Sequence, residues 1–207
     1  ETMNWVACEQ VSADYADLYA EEMDLGGENP RAIGVSGEVP AGFSVLIIGC
    51  GEAGLLAGIR LAEAGIPFEI VDKNYDVGGT WLENGYPGCR VDVASHYYSY
   101  SFERNDGFSE YYARQPELHA YLKKLLDDHD IAPHVTWSRE VLCANWDNDA
   151  AHWVVTLGGP DGSRESRTAS VLISGVGILN RPAIPDLPNL DRFEGPMFHS
   201  ARWDDTV

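Results

Sequence analysis

The sequence predicts an α/β fold: a parallel sheet covered by helices, with a β-meander beside it. Three observations carry that prediction. Val45–Ile48 is a continuous apolar run, the kind buried on both faces of a parallel sheet. Leu55, Leu56, Ile59 and Ala62 then recur at helical spacing up to Gly65, and Phe68–Val71 is a second apolar run, so the three pieces make a β-α-β unit of about 30 residues. Short segments rich in β-branched and aromatic residues follow in the second half of the chain, separated by turn residues.

The elements fall in order as follows. Residues 1–42 form an extension of their own. Within it Tyr15, Leu18, Tyr19 and Met23 lie at helical spacing before Gly26-Gly27, which predicts a short acidic helix packed on the main domain. A Gly/Pro-bearing connector, RAIGVSGEVPAGF, leads into the main domain, residues 43–180. After the β-α-β unit the chain is loop-rich and aromatic, GGTWLENGYPGCRVDVASHYYSYSF. A helix is predicted over QPELHAYLKKLLDDHDI, with Pro116 near its first turn and Leu118, Tyr121, Leu122 and Leu125 on one face. HVTW, EVLCANW and WVVTL read as strands, GGPDGS as a turn, and SVLISGVG as a further buried strand running into Gly175 and Gly177. Residues 181–207 begin with a proline-rich tail, LNRPAIPDLPNL, that can be neither helix nor central strand and reads as a linker.

Composition narrows the function. The 207 residues, 44% hydrophobic, are enough for one substantial core with appendages. Fourteen basic residues against 33 acidic ones give a formal net charge of −19, which repels phosphate backbones and anionic lipid heads, so no nucleic-acid or membrane partner is expected. Cys8, Cys50, Cys89 and Cys143 show no C-x-x-C spacing and no His at ligand spacing, so no metal is expected. Free thiols in a reducing compartment are the simplest account, and the expected location is the cytoplasm. The chain begins Glu1-Thr2-Met3, which reads as a trimmed or excised piece.

The chemistry starts at the first strand. Gly49, Gly51 and Gly54 form G-x-G-x-x-G between a strand and a helix. Gly49 permits the tight turn, Gly51 lets a diphosphate approach bare backbone, Gly54 lets helix and strand pack closely, and the helix start supplies N–H donors and a partial positive charge. Ala53 lies inside this turn. Asp72, about 20 residues on at the end of the second strand, stands where a carboxylate accepts ribose hydroxyls, and it favours a ribose without a 2′-phosphate. Lys73 follows it. The motif therefore predicts a Rossmann-like dinucleotide-binding domain. Gly78 and Gly79 then bring backbone close to a bulky ligand, while Thr80 and Trp81 offer a hydroxyl and a flat wall, which points to FAD rather than NAD.

Taken together, these residues resemble the FAD-containing Baeyer–Villiger monooxygenases, within them the branch with long N-terminal extensions such as 4-hydroxyacetophenone monooxygenase. Three stretches carry the resemblance: GCGEAG with Asp72; GGTWLENGYPGCRVD leading to YSYSF; and Phe193, Gly195, His199, Trp203 and Asp204, which match F-x-G-x-x-x-H-x-x-x-W-[P/D]. It spans about residues 43–207. Gly85 departs from the pattern, because the family commonly has Arg there, while Pro87, Gly88, Arg90 and Asp92 are kept.

The resemblance implies the N-terminal part of a two-dinucleotide-domain flavoprotein. Gly49, Gly51, Ala53 and Gly54 would hold the FAD diphosphate, Asp72 would take the ribose, and Lys73 would be a further cofactor-binding residue. Gly79, Thr80, Trp81, Leu82 and Tyr98 would line the flavin, and Val141 would offer backbone to the adenine. Asp92 would position an Arg that lies outside the chain, and residues 193–204 would join this domain to an NADPH-binding domain also outside it. The implied reaction takes a ketone, O₂ and NADPH and, through reduced FAD and a C4a-peroxyflavin, inserts one oxygen beside the carbonyl to give an ester or lactone. On this reading the chain is a fragment that associates with the rest of a larger enzyme; self-association stays open beside it. Two other functions also stay open: an N- or S-oxygenating flavin monooxygenase, and a flavin-binding module without catalysis. Asp92 reads equally as a loop cap, and core packing is the preferred reading of Tyr97, Tyr100 and Tyr112.

Overall fold

The computed structural model describes residues 10–17, 20 and 37–207. The chain divides into two units, Glu1–Val35 and Ser36–Val207. Most of the expected N-terminal helix, with Leu18, Tyr19 and Met23, lies outside the described residues. At its start Ala13–Tyr15 form a 3-10 turn, where the Ser12 hydroxyl accepts the Asp14 N–H.

The second unit is built on a parallel sheet of four strands in the order β3-β2-β1-β7. Here β1 is Val45–Ile48, β2 Phe68–Val71, β3 Val135–Thr136 and β7 Val171–Ser174. The central strand β1 pairs with β2 and β7 in register, Ile48 lying opposite both Val71 and Ser174. Helix α1 (Glu52–Glu63) joins β1 to β2, and α3 (Gln115–Asp128), with Pro116 at its start, packs on the same face. A three-stranded antiparallel meander, β4 (Glu140–Asp147), β5 (His152–Gly158) and β6 (Arg164–Ala169), covers the other face.

This layering explains the unbroken apolar runs. Val45 and Ile47 point into the helical layer with Leu55, Ile59, Leu118, Leu122 and Leu125, whereas Leu46 packs with Val155 and Leu157 of the meander. Successive side chains on one strand thus serve two cores, and each fully buried aliphatic contributes about 1.5–3 kcal/mol. Gly58 in α1 is required by the same packing, since a Cβ there would come within 2.8 Å of the Ile70 side chain.

Three expectations are corrected by burial. Strand β7 is not fully buried: it closes one edge of the sheet, with Val171 and Ser174 exposed. Tyr97 and Tyr112 are exposed rather than in the core, because the loop carrying them runs over the surface; Tyr100 does pack against the helical core. Among the described residues no helix is long and apolar enough to cross a membrane.

Candidate functional site

Strands β1, β2 and β7 end together, and their carboxyl ends open onto a cleft of about 680 Å³. This is the crevice in which open α/β sheets bind ligands, at the point where the chain, after adding β2 and β3 on one side of β1, returns with β7 on the other. Gly49 leaves β1 with φ 96°, its N–H donating to Val71 O at 2.8 Å, while the Gly175 N–H after β7 donates to Ile48 O at 2.8 Å. The turn is closely walled: a Cβ on Gly49 would lie 2.7 Å from Gly175 O.

The three motif glycines separate by role. A Cβ on Gly54 would fall 1.7 Å from Gly49 O, so Gly54 serves helix–strand packing, and it does not line the cleft. Gly51 caps the N-terminus of α1, and a Cβ there would meet nothing nearer than the Gly79 Cα at 3.5 Å. Packing does not demand a glycine at 51. The bare position instead leaves the first amides of α1, which lack intrahelical partners, open to the cleft that Gly51 and Ala53 line.

Asp72 ends β2 at the cleft with its carboxylate almost fully buried. One oxygen accepts the Cys50 N–H at 2.6 Å and the other the Asn74 N–H at 2.7 Å. Two N–H donors leave part of the carboxylate's lone-pair capacity free for hydroxyl donors from a ligand. The neighbouring charge and burial together push the Cys50 thiol far up, burial being the larger cause, so Cys50 is an inert packing residue.

The opposite wall is the short helix α2, Thr80–Glu83, entered through two glycines of positive φ, Gly78 at 130° and Gly79 at 52°. Gly79 packs directly on Gly51, so the cradle turn and α2 are in contact. Thr80, Trp81 and Glu83 line the cleft; Leu82 does not, because the single helical turn sets it against Gly78 instead. Trp81 Nε1–H donates to the Tyr98 hydroxyl at 3.1 Å, and that hydroxyl donates to Glu52 Oε2 at 3.2 Å. The Tyr100 hydroxyl donates to the Glu52 carbonyl at 2.5 Å. Burial raises the Glu52 carboxyl above the usual range, with the hydrogen bonds from Tyr98 and Trp81 opposing. Burial and the Glu52 charge both push the Tyr98 phenol up, so it stays protonated and donates.

Lys73, Val141 and Asp92 also line the cleft. Val141 starts the meander, whose register is interrupted between Val141 and Cys143, and the preceding Arg139 N–H bonds to Asp72 O at 2.9 Å, holding β4 beside β2. Asp92 is exposed, and among the described residues no cation pairs with it.

The five residues at 193–204 do not line the cleft. Gly195 sits under the Phe193 ring, His199 Nδ1 accepts the Ala201 N–H at 3.1 Å to open a 3-10 turn (Ser200–Arg202), and Trp203 meets the Phe198 ring edge-on at 4.9 Å. Asp204 caps the chain that follows, accepting the Thr206 N–H at 2.9 Å. Glu52 and Glu83 are among the cleft residues that the sequence does not single out. Tyr98 and Arg202, which hold them, lie 46 and 119 residues away, although an acidic residue between two motif glycines is itself a visible signal.

A family profile described as NAD(P)-binding Rossmann-like domain matches residues 47–115. The chain is 40% identical over 161 residues to a Baeyer-Villiger monooxygenase of Streptomyces coelicolor, covering 77% of this chain and 30% of that protein. An uncharacterized monooxygenase of Sinorhizobium fredii is 34% identical over 200 residues, 96% of this chain and 30% of its own. Among solved structures, OTEMO in complex with FAD and NADP superposes with a TM-score of 0.70 at 34% identity, covering 81% of this chain and 31% of that one. The chain thus spans about 30% of the length of the curated relatives it matches.

Proposed function

We propose that this chain belongs to the Baeyer–Villiger monooxygenase-type flavoprotein family, to whose members it is similar, and that it binds FAD in the cleft at the ends of β1, β2 and β7. It would serve as the flavin-holding part of an enzyme that turns a ketone, O₂, NADPH and a proton into an ester or lactone, water and NADP⁺. The observation that carries the proposal is Gly51: a side-chain-free position that packing does not require, at the N-terminus of a helix, facing a cleft walled by a tryptophan.

In this reading the amides at Gly51 and Ala53 take the diphosphate, and Asp72 takes ribose hydroxyls while Cys50 and Asn74 fix its orientation. Trp81, held edge-on by Tyr98, walls the ring system, and Val141 borders the adenine end. Asp92 offers an exposed carboxylate to a guanidinium from outside the chain. The bound flavin supplies the redox chemistry with O₂; the protein binds it, orients it and excludes water.

The domain division is read as an N-terminal extension (1–42), the FAD domain (43–180) and a linker (181–207) toward an NADPH-binding domain. The branch containing 4-hydroxyacetophenone monooxygenase is the finer placement. It rests on the stretch that the sequence carries ahead of Val45. Free thiols at Cys50, Cys89 and Cys143 support a cytoplasmic location.

Visible flavin absorbance of the purified chain after FAD addition and desalting tests the binding. Product analysis of the full-length protein with NADPH and a ketone panel tests the chemistry: esters are expected, and oxygenated amines alone would overturn the assignment.

A further inference from the structure

One carboxylate ties together four separated parts of the chain. Glu83 ends α2, and its side chain is only 12% exposed. Its Oε1 takes the Lys73 ammonium at 3.0 Å and the Asn74 side-chain amide at 3.0 Å; its Oε2 takes the Arg202 guanidinium at 3.0 Å. Lys73 in turn donates to the Asn180 side-chain oxygen at 2.5 Å and to its carbonyl at 3.2 Å. The hub therefore joins the end of β2, the cleft wall α2, the chain leaving β7, and the 3-10 turn between His199 and Trp203.

A mechanical line leads from the cleft to that turn. Gly51 touches Gly79, Gly79 starts α2, and Glu83 at the other end of α2 grips Arg202, which directly precedes Trp203. Lys73 and Glu83 both line the cleft, whereas Arg202 does not.

We propose that Glu83 is a positioning residue that fastens the His199–Trp203 turn to the flavin wall through Arg202, so that filling the cleft orders that turn. The side-chain route from the cleft to the turn runs through α2 and Lys73, which line the cleft, and coupling of this kind is reciprocal: whatever orders the turn also favours the filled cleft. The charged contacts explain why the pairing is specific. Burial would raise the Glu83 carboxyl, yet hydrogen bonds from Asn74, Lys73 and Arg202 and the Lys73 charge outweigh it and hold it below the usual range.

The proposal rests on the flavin reading of the cleft, and amide hydrogen exchange separates the two. Exchange over residues 196–206 is followed in the 207-residue chain with and without FAD, alongside a flavin titration. In the parent, FAD is expected to slow exchange there. Arg202→Gln is expected to keep flavin binding and lose that protection, Arg202→Lys to restore part of it, and Glu83→Gln to speed exchange in the turn even without FAD. Flavin binding by the parent with no change over 196–206, or full protection in Arg202→Gln, would overturn the coupling alone. Failure of the parent to bind FAD would overturn the cleft reading and the coupling with it.

Discussion

The Asp72 carboxylate accepts the backbone N–H of Cys50 at 2.6 Å, clamping the end of the second strand to the middle of the glycine turn. Its other oxygen holds the Asn74 N–H. One buried side chain thereby fixes both the cradle and the start of the loop that carries Lys73 into the hub.

Asp72→Asn should disturb both jobs. An amide can accept one of the two N–H donors but presents its own N–H to the other, and a lost hydrogen bond to a charged group costs about 1.5–3 kcal/mol. A lower urea midpoint with unchanged slope is expected, together with weakened flavin binding. Unaltered stability would show that the two contacts carry little.

The glycines should separate fold from ligand. Gly54→Ala places a Cβ 1.7 Å from Gly49 O and should unfold or grossly destabilise the domain. Gly51→Ala meets only ordinary van der Waals contact, so its melting temperature should stay near the parent's while flavin affinity falls. Thermal melts run beside flavin titrations read both effects. Equal loss of stability in the two variants would contradict the division of roles.

Much of this was legible in the sequence, and the reason is local. The β1–α1–β2 unit announces itself because a strand buried on both faces must be apolar throughout and its turn must be glycine. The helix over Gln115–Asp128 shows for a similar reason, with Leu118, Leu122 and Leu125 at fixed spacing. Strand β6, Arg164–Ala169, gave no apolar signal; it is held by Arg167 and Arg139 on Glu165, by Arg167 on Glu69 and by pairing to β5. The Glu83 hub was invisible because Lys73, Glu83, Asn180 and Arg202 come together only once the chain folds back on itself. The exposure of Tyr97 and Tyr112 was equally hidden, since an aromatic-rich loop reads as core until its path is known.

Glu52 predicts a pH effect of one sign. Its carboxyl is raised in the folded protein, mainly by burial, so the native state holds its proton to higher pH than the unfolded chain. Stability should therefore fall as pH rises from the ordinary glutamate value through the raised one, and the loss should persist above it. Glu52→Gln removes that loss. Against the parent it should be more stable at neutral pH and closer to equal in acid, as read by urea midpoints at several pH values. A parent that outlasts the variant at neutral pH would show that the charged form is favoured.

Glu83 predicts the opposite slope. Its carboxyl is lowered in the folded state, so it stabilises above the unfolded value, and that contribution is lost as pH falls through the folded one. Glu83→Gln should flatten the acid limb of the stability profile. An unchanged acid limb in the variant would assign the acid sensitivity to other carboxylates.

The most direct measurement is a fluorescence titration of FAD with the 207-residue protein and with Gly51→Val. A saturable, one-to-one complex with the parent, lost or greatly weakened in a variant that still melts cooperatively, is the predicted result. No complex with the parent, or equal affinity in both proteins, would contradict the assignment of the glycine turn as a diphosphate cradle.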